Sequence, residues 1–327
     1  MSERIDWGII GTGMIAKTLA DAINASETAE LVGVGSRAQA TADAFAADKG
    51  SAKAYGSYEA LLADPDVRIV YNSLPNSMHC EWTIKTAEAG KHILCEKPLS
   101  VTVEEAERMY ASADACGVCL MEAFMYRCHP QTTRLKEIID SGRIGDLRII
   151  HSTFSFTIAD PANIRLSEPL AGGALMDVGC YCINFSRTMV GAEPVAAFGA
   201  AKFGAQSKVD ENMAGTLIFE DGVFGQFDVG VKSTGRSGAE IVGSTGRIDV
   251  PSPWKPGDTS TIIVHDSSGT EEIEIVGASP YVLQVDAFGR TVTASEAPVL
   301  SREDSIGNMA AICAVLKSTK TGEVVKL

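Results

Sequence analysis

A lysine, an aspartate and a tyrosine in this sequence have the types and spacing needed for proton transfer to or from a hydroxyl group. Asp177 and Tyr181 lie four residues apart in a stretch predicted to be helical, so their side chains share one helix face. Lys97 follows a predicted strand, at the edge of a parallel sheet where doubly wound folds bind ligands. A phenol is a poor base at its usual pKa of about 10, but a nearby ammonium favours the phenolate. We therefore expect Lys97 to activate Tyr181 as the base of a dehydrogenase, with Asp177 holding the substrate hydroxyl or orienting Lys97.

Each of these three residues also has an explanation without chemistry. Lys97 could be a surface charge, Tyr181 could pack a helix, and Asp177 could be an acid near a helix N-terminus. Their joint occurrence favours the catalytic interpretation.

A glycine-rich turn near the start of the chain has the pattern of a dinucleotide-binding site. Gly11-Thr12-Gly13-Met14-Ile15-Ala16 follows a short apolar strand and opens a helix. In such a turn the first glycine permits the tight bend, and the second lets the backbone approach a pyrophosphate. The small third residue lets helix and strand pack closely, and the helix N-terminus offers N–H groups to the phosphates. This strand–turn–helix context favours nucleotide binding over a purely structural turn.

The end of the second predicted strand indicates which dinucleotide binds. NAD enzymes usually place Asp or Glu there to hold the ribose hydroxyls, but this chain has Gly35-Ser36-Arg37. A carboxylate would repel the 2′-phosphate of NADP, whereas a hydroxyl and a guanidinium bind it through charge-assisted hydrogen bonds. We therefore expect Ser36 and Arg37 to bind NADP in preference to NAD. The alternative for Arg37 is a solvated residue at the start of a helix.

Two patterns of alternation predict the two domains that position these residues. Up to residue 122, short apolar runs alternate with amphipathic stretches, which predicts an α/β Rossmann domain over residues 1–122. Beyond it, longer strand-like segments with hairpin signals such as Asp221-Gly222 predict an α+β domain over residues 123–327. We expect that domain to hold a large, mainly antiparallel, open-faced sheet, and the closing helix, residues 303–318, to pack back on the first domain.

Composition excludes several classes of function. The chain has 327 residues with 28 Lys+Arg against 42 Asp+Glu, a net charge of −14, which opposes binding to nucleic acid or to an anionic membrane. No apolar run approaches the roughly 20 residues that a membrane helix needs. Residues 1–6 lack the pattern of a signal peptide, and Cys116-x-x-Cys119 has no second pair to complete a metal site. A cytoplasmic protein without a bound metal is expected.

Three separated segments resemble the Gfo/Idh/MocA oxidoreductase family. They are Lys91-His92-Ile93-Leu94-Cys95-Glu96-Lys97-Pro98, Gly172-Gly173-Ala174-Leu175-Met176-Asp177-Val178-Gly179-Cys180-Tyr181 and Leu74-Pro75-Asn76-Ser77-Met78-His79. With the N-terminal fingerprint they follow the family order and cover nearly the whole chain. Many members have His at the position of Tyr181. The tyrosine is similar to the branch that holds glucose–fructose oxidoreductase, dimeric dihydrodiol dehydrogenase and NADP-linked xylose dehydrogenase.

The resemblance implies roles for further residues. The residues that it adds to the cofactor site are Leu74, Pro75, Asn76, His79, Glu96, Lys97 and Arg165, of which Arg165 could instead reach the substrate. The resemblance also implies a cis Lys97–Pro98 bond, and it places Glu122 and Tyr126 with Lys97 in the substrate cleft between the domains. An exposed residue that starts a helix is the alternative for His79, and packing is the alternative for Tyr126.

The activity that the resemblance implies is NADP-dependent oxidation of the anomeric hydroxyl of an aldose, such as D-xylose or D-glucose, to a lactone. Two alternatives stay open, a trans-dihydrodiol or dicarbonyl reductase with the same machinery and a non-catalytic NADP-sensing protein. The three proton-transfer candidates argue against the sensor, because a sensor has no need of them.

The expected partners are a small sugar or polyol and further copies of the chain. The antiparallel sheet of the family usually builds an interface, so we expect a homodimer or a dimer of dimers. The apolar strand residues that we expect on exposed faces of this sheet are Val229, Val231, Ile262 and Val264.

Overall fold

The computed structural model describes residues 4–327 and divides the chain into two compact units. The first unit comprises the described residues up to Cys128 together with Ser279–Ser305, and the second comprises His129–Ala278 and Ile306–Leu327. The N-terminal segment without a signal-peptide pattern is residues 1–6, and its residues 1–3 lie outside the described residues. Within residues 4–327, no helix combines the length and the apolarity needed to cross a membrane.

The first unit is built on a six-stranded parallel sheet. Its strands are β1 (Ile5–Ile10), β2 (Ala29–Gly35), β3 (Lys53–Tyr55), β4 (Ile69–Asn72), β5 (His92–Cys95) and β6 (Leu120–Glu122). All pairs are parallel, in the order β3-β2-β1-β4-β5-β6. The strand order therefore reverses between β1 and β4, and ligands of doubly wound sheets bind beside that reversal. The expected Rossmann fold is confirmed.

Five helices of the first unit connect these strands. They are α1 (Met14–Ala25), α2 (Gln39–Lys49), α3 (Tyr58–Leu62), α4 (His79–Glu88) and α5 (Val103–Cys116). The start of α5 shows how the sequence sets these bounds, because Thr102 Oγ1 accepts the N–H of Glu105 at 3.2 Å and Glu105 Oε2 accepts the N–H of Val101 at 3.1 Å. Such side-chain bonds satisfy N–H groups that the helix itself leaves without acceptors.

The second unit is built on a nine-stranded, mostly antiparallel sheet. Its strands are β7 (Leu147–Thr157), β8 (Ala196–Phe203), β9 (Asp210–Ile218), β10 (Phe224–Gly230), β11 (Lys232–Gly243), β12 (Arg247–Val250), β13 (Thr259–Asp266), β14 (Gly269–Val276) and β15 (Val325–Lys326). The order is β14-β13-β12-β11-β7-β10-β9-β8-β15, and β7 pairs with β10 in parallel. Helices α6 (Pro130–Asp140) and α7 (Cys180–Val190) belong to this unit.

The faces of the second sheet differ from the expectation. Val229, Val231, Ile262 and Val264 were expected on exposed faces, but each is at most 4 % exposed. In β10, Gly225 and Phe227 are buried together with Val229, whereas Phe224 is 38 % exposed. Alternate residues of a strand point to opposite faces, so a register error of one residue exchanges the two faces. The hydrophobic pattern identified these strands but not the side that the core occupies.

The C-terminal helix also differs from the expectation. Helix α8 (Pro280–Ala294) is the segment that returns to the first unit, where Asp286 Oδ1 accepts the hydroxyls of Ser26 at 2.5 Å and Thr28 at 2.8 Å. Helix α9 (Arg302–Thr321) contributes only its residues up to Ser305 to that unit and then belongs to the second. The physical reason is its packing against β8, where Gly199 donates its N–H to Ser318 Oγ at 3.0 Å. The boundary between the units follows Cys128, beyond the expected residue 122.

Candidate active site

The turn after β1 has the backbone geometry of a phosphate-binding loop. Gly11 has a φ of +101° and donates its N–H to Gly35 O at 3.0 Å. A Cβ at Gly11 would lie 2.6 Å from Ser73 Oγ, so only glycine fits beside the turn that follows β4. Gly13 is the N-cap residue of α1, and a Cβ at Gly13 would meet no atom within 4 Å.

This loop fits the pyrophosphate of a dinucleotide. The first N–H groups of an α-helix have no acceptor within the helix, and they carry the positive end of its dipole. The open space at Gly13 allows a phosphate to approach the backbone closely. Ala16 is fully buried, so α1 lies close to the sheet. Thr12 and Ile15 are half-buried and Met14 is 84 % exposed.

The end of β2 presents a guanidinium and no carboxylate. Ser36 is buried and donates its N–H to Tyr55 O at 3.0 Å, whereas Arg37 is exposed. Burial raises the pKa of Tyr58, and the positive charge of Arg37 opposes that rise. The residue types and the exposure at this tip fit a 2′-phosphate.

Buried side chains hold the turn that carries Lys97. The Lys97–Pro98 bond is cis, as the resemblance implied. Tyr71 donates its hydroxyl to Glu96, which is 8 % exposed. Leu99 donates its N–H to Glu122 Oε1 at 2.8 Å. Lys97 itself is half-buried at the carboxyl end of β5.

His79 joins this turn to the turn after β4. Its ring is fully buried, with Nδ1 2.9 Å from Pro98 O and Nε2 2.8 Å from Leu74 O. Burial lowers the pKa of His79, and the two carbonyl groups oppose that shift. His79 begins α4, but the exposed residue that was weighed as its alternative is wrong. Both ring nitrogens face backbone carbonyls, so the side chain holds the two turns in place.

The remaining candidates of the first unit lie around this turn. Pro75 and Asn76 are half-buried, and Asn76 begins a short 3₁₀ turn that leads into α4. Glu122 is 1 % exposed and Tyr126 is fully buried, with its ring packed edge-to-face on Phe124 at a centroid distance of 6.1 Å. Such packing is the alternative that the sequence left open for Tyr126. Glu122 acts on the backbone of Leu99 rather than presenting an exposed carboxylate.

In the second unit an ion pair orients the Asp177 carboxylate. Leu175–Gly179 forms a π-helical turn that continues into α7. Arg165 Nε donates to Asp177 Oδ2 at 2.7 Å, and the Asp177 side chain is 12 % exposed. The backbone N–H of Arg165 is in turn held by Asn163 Oδ1 at 3.0 Å. Such π-helical turns occur frequently at functional sites, where they widen one turn of a helix.

Aromatic rings enclose Tyr181, which is 6 % exposed. Its ring lies edge-to-face against Phe154 at a centroid distance of 5.7 Å and against Trp254 at 6.0 Å. Trp254 Nε1 donates to Thr153 O at 3.0 Å, which fixes the indole. Phe154 and Trp254 were not among the site residues predicted from the sequence. Phe154 is one apolar residue of a long strand and Trp254 lies in a loop, so neither has a sequence pattern that indicates this contact.

The structure thus assigns the candidates to two sets. Lys97 and the loop after β1, here called the nucleotide loop, belong to the first unit. Arg165, Asp177 and Tyr181 belong to the second. Within residues 4–327, no three side chains of the His, Cys, Asp and Glu types lie close enough together to hold a metal ion.

Comparisons with known proteins are consistent with this arrangement. The family described as "Oxidoreductase family, NAD-binding Rossmann fold" matches residues 5–124, and the Gfo/Idh/MocA C-terminal domain matches residues 132–249. The chain is 35 % identical to a D-xylose 1-dehydrogenase (NADP(+)) of Haloferax volcanii over 98 % of this chain and 99 % of the relative. It is 33 % identical to a trans-1,2-dihydrobenzene-1,2-diol dehydrogenase of Mus musculus over 76 % and 75 % of the two chains.

A solved structure shares the whole architecture. It is a 3-ketoreductase from Actinomadura kijaniata in complex with NADP and TDP-benzene, with a TM-score of 0.92 and 29 % sequence identity. The match covers 97 % of this chain and 98 % of the other.

Removing the Glu122 carboxylate should destabilise the Lys97 turn. In Glu122→Ala the buried N–H of Leu99 loses its acceptor, and such a group costs about 1–3 kcal/mol. We expect the free energy of unfolding, measured by urea denaturation, to fall by about that amount. Glu107→Ala, which removes an exposed carboxylate from α5, is the control and should change it by less than about 0.5 kcal/mol. Equal values for the two variants would contradict the role of Glu122.

Proposed function

The chain belongs to the Gfo/Idh/MocA family of oxidoreductases, and on this premise we propose that it is an NADP-dependent aldose 1-dehydrogenase. It is an oxidoreductase of the class that acts on CH–OH groups of sugars and related compounds. The proposed reaction is oxidation of the anomeric hydroxyl of a pyranose such as D-xylose or D-glucose to a lactone. The observation that carries it is the pair Asp177 and Tyr181 on successive turns of one helix, the carboxylate held by Arg165 and the phenol by aromatic rings.

The choice of NADP rests on the end of β2. NADP, when bound, supplies the hydride acceptor or donor. The N–H groups at the start of α1 would hold its pyrophosphate, and the Ser36 hydroxyl and Arg37 guanidinium would hold its 2′-phosphate. The D-xylose 1-dehydrogenase relative is named for NADP, which supports this choice.

The proposed proton transfer uses Tyr181 as the base. In the direction of oxidation the substrate hydroxyl gives its proton to the Tyr181 oxygen, and in reduction the phenol returns it. Lys97 would favour the phenolate through its positive charge. Asp177 would accept a hydrogen bond from a neighbouring substrate hydroxyl, while Arg165 orients that carboxylate.

The surroundings of Tyr181 contribute rigidity. The Phe154 and Trp254 rings limit the positions that the Tyr181 ring can take, and a fixed base lowers the entropic cost of reaching the reacting geometry. Their apolar faces also exclude water from one side of the phenol. The position of the half-buried Lys97 is restricted by its turn, whose backbone contacts Glu122 and His79.

A trans-dihydrodiol or dicarbonyl reductase is the second candidate function. The half-buried Phe154 ring beside Tyr181 favours it, because a flat apolar ring binds an aromatic or cyclohexadiene ring well. The mouse relative is a trans-1,2-dihydrobenzene-1,2-diol dehydrogenase. The same residues would carry the proton transfer for either substrate.

We also propose that the chain forms a homodimer, or a dimer of dimers, through the second sheet. Ile149 of β7 and Phe224 of β10 are neighbouring partners in register, and both are exposed with Phe198 of β8 on the same face. Exposed apolar residues clustered on a sheet indicate an interface. Phe224→Asp should therefore convert a dimer to monomers in sedimentation velocity, whereas a native monomer would exclude this interface.

A turnover screen with Tyr181→Phe tests the activity. Purified protein is incubated with NADP or NAD and a panel of aldoses, inositols and trans-dihydrodiols, with dicarbonyls and NADPH for the reverse direction. We expect the highest kcat/KM for an aldose with NADP. Tyr181→Phe removes only the hydroxyl and should lower kcat by about 10²–10⁴-fold with NADPH binding retained.

Lys97→Met should lower kcat as far, and the double variant little further, because residues that act as one unit are not additive. Highest turnover on a dihydrodiol or dicarbonyl would select the second candidate. NADP binding without turnover of any compound would indicate the sensor. Near-normal turnover by Tyr181→Phe would show that the base lies elsewhere.

The cofactor preference is tested by Arg37→Ala. Loss of a charge-assisted contact of about 1.5–3 kcal/mol corresponds to an increase of roughly 10- to 150-fold in the Kd for NADP. The Kd for NAD should stay within about twofold, because NAD has no 2′-phosphate. Both constants are measured by isothermal titration calorimetry. A wild-type protein that binds NAD more tightly than NADP would contradict the proposal.

A further inference from the structure

A buried carboxylate lies at the start of the helix that carries Asp177 and Tyr181. It belongs to Asp210, the first residue of β9, which is 3 % exposed. Asp210 Oδ2 accepts the N–H of Leu175 at 2.7 Å, and the N–H of Ala174 helps to lower the pKa of this carboxylate. The acceptor therefore reaches the helix from a strand that is remote in sequence, where helix N-caps are usually local.

A glycine makes this approach possible. Gly173 has a φ of +118°, and a Cβ at Gly173 would lie 2.1 Å from Asp210 Oδ1. Any side chain would therefore displace the carboxylate, and the positive φ disfavours other residues as well. The absence of a side chain at Gly173 thus leaves the space that the Asp210 carboxylate occupies.

The same turn is bonded to both members of the Arg165–Asp177 pair. Gly173 donates its N–H to Arg165 O at 2.9 Å, and its carbonyl accepts the N–H of Asp177 at 3.0 Å. A shift of the turn would consequently move the backbone of Arg165 and of Asp177 together. Tyr181 lies one helical turn beyond Asp177 and would follow.

A negative charge on Asp210 is favourable at the N-terminal end of this helix. Burial raises the pKa of Asp210 to about 6, and the N–H groups of Leu175 and Ala174 oppose that rise. The group is therefore mainly ionised at neutral pH, where an anion at a helix N-terminus interacts favourably with the helix dipole.

We propose that Asp210 is a positioning residue that sets the start of the helix carrying Asp177 and Tyr181, through its bond to Leu175 and its contact with Gly173. This inference rests on the proposed function, in which Tyr181 transfers the proton. Asp210 touches neither substrate nor cofactor in this role. It acts by fixing where the proton-transfer residues lie.

Asp210→Asn tests the proposal, because it keeps the shape and replaces one acceptor oxygen by a donor that faces N–H groups. Glu211→Gln is the matched control: it neutralises the next carboxylate of β9, which accepts the Ser207 hydroxyl at 3.0 Å. The measurements are kcat per NADPH-binding molecule on the best substrate of the screen, the Kd for NADPH, and hydrogen–deuterium exchange of the peptide over residues 173–181.

We expect Asp210→Asn to lower kcat by about 10- to 100-fold, since a displacement near 1 Å can have an effect of that size. The Kd for NADPH should stay within twofold, because the nucleotide loop belongs to the other unit. Exchange in residues 173–181 should rise relative to the rest of the second unit. Glu211→Gln should match the wild type in all three measurements.

Several outcomes would overturn the proposal. They are a kcat of Asp210→Asn within twofold of the wild type, unchanged exchange in residues 173–181, exchange raised uniformly over the second unit, or a variant that does not fold at all. Near-normal turnover by Tyr181→Phe would instead overturn the proposed function. If the wild type turns over no compound of the screen, hydrogen–deuterium exchange of residues 173–181 alone tests whether Asp210 fixes the start of the helix.

Discussion

The carboxyl ends of parallel strands must meet at one edge of a sheet, and the first unit depends on this constraint. Gly11 follows β1, Leu74 follows β4 and Lys97 follows β5, so three turns from distant parts of the sequence become neighbours. The His79 ring nitrogens then lie 2.9 and 2.8 Å from backbone carbonyl oxygens of two of these turns, and Glu122 accepts an N–H beside Lys97. Because buried polar groups are costly when they lose their partners, these contacts hold the turns after β4 and β5 in fixed positions.

In the second unit, the start of a helix positions the polar side chains, whereas in the first unit the edge of a sheet does so. A π-helical turn and α7 carry the polar residues, and the helix start needs acceptors for its first N–H groups. Asp210 supplies the acceptor for the N–H of Leu175 from β9, while Arg165 holds the Asp177 side chain. Aromatic packing then fixes Tyr181. In both units, side chains that are remote in sequence hold short polar segments by bonding to their backbone.

Residues that are specified by local backbone geometry were predictable from the sequence. Gly11 and Gly13 are needed by a turn that contains both of them, and Ser36-Arg37 follows at the tip of the next strand. The roles of His79, Glu122 and Asp210 were not predictable, because each is defined by a partner on another element. A histidine or a carboxylate has the same appearance in a sequence whether it faces solvent or a buried peptide group. Both His79 and Glu122 are buried and contact the backbone of the Lys97 turn, which the sequence did not indicate.

The sequence by itself determined the alternation of strands and helices, the nucleotide loop, the family and the mostly antiparallel second sheet, because periodicity and turn chemistry are local properties. Only the tertiary structure decided which face of each second-unit strand is buried, that α8 rather than most of α9 joins the first unit, and which side chains hold the Lys97 and Gly173 turns. Those features depend on register and on pairings between distant residues. Alternation with a period of two does not by itself say which face of a strand is buried, because that depends on which face the helices pack against.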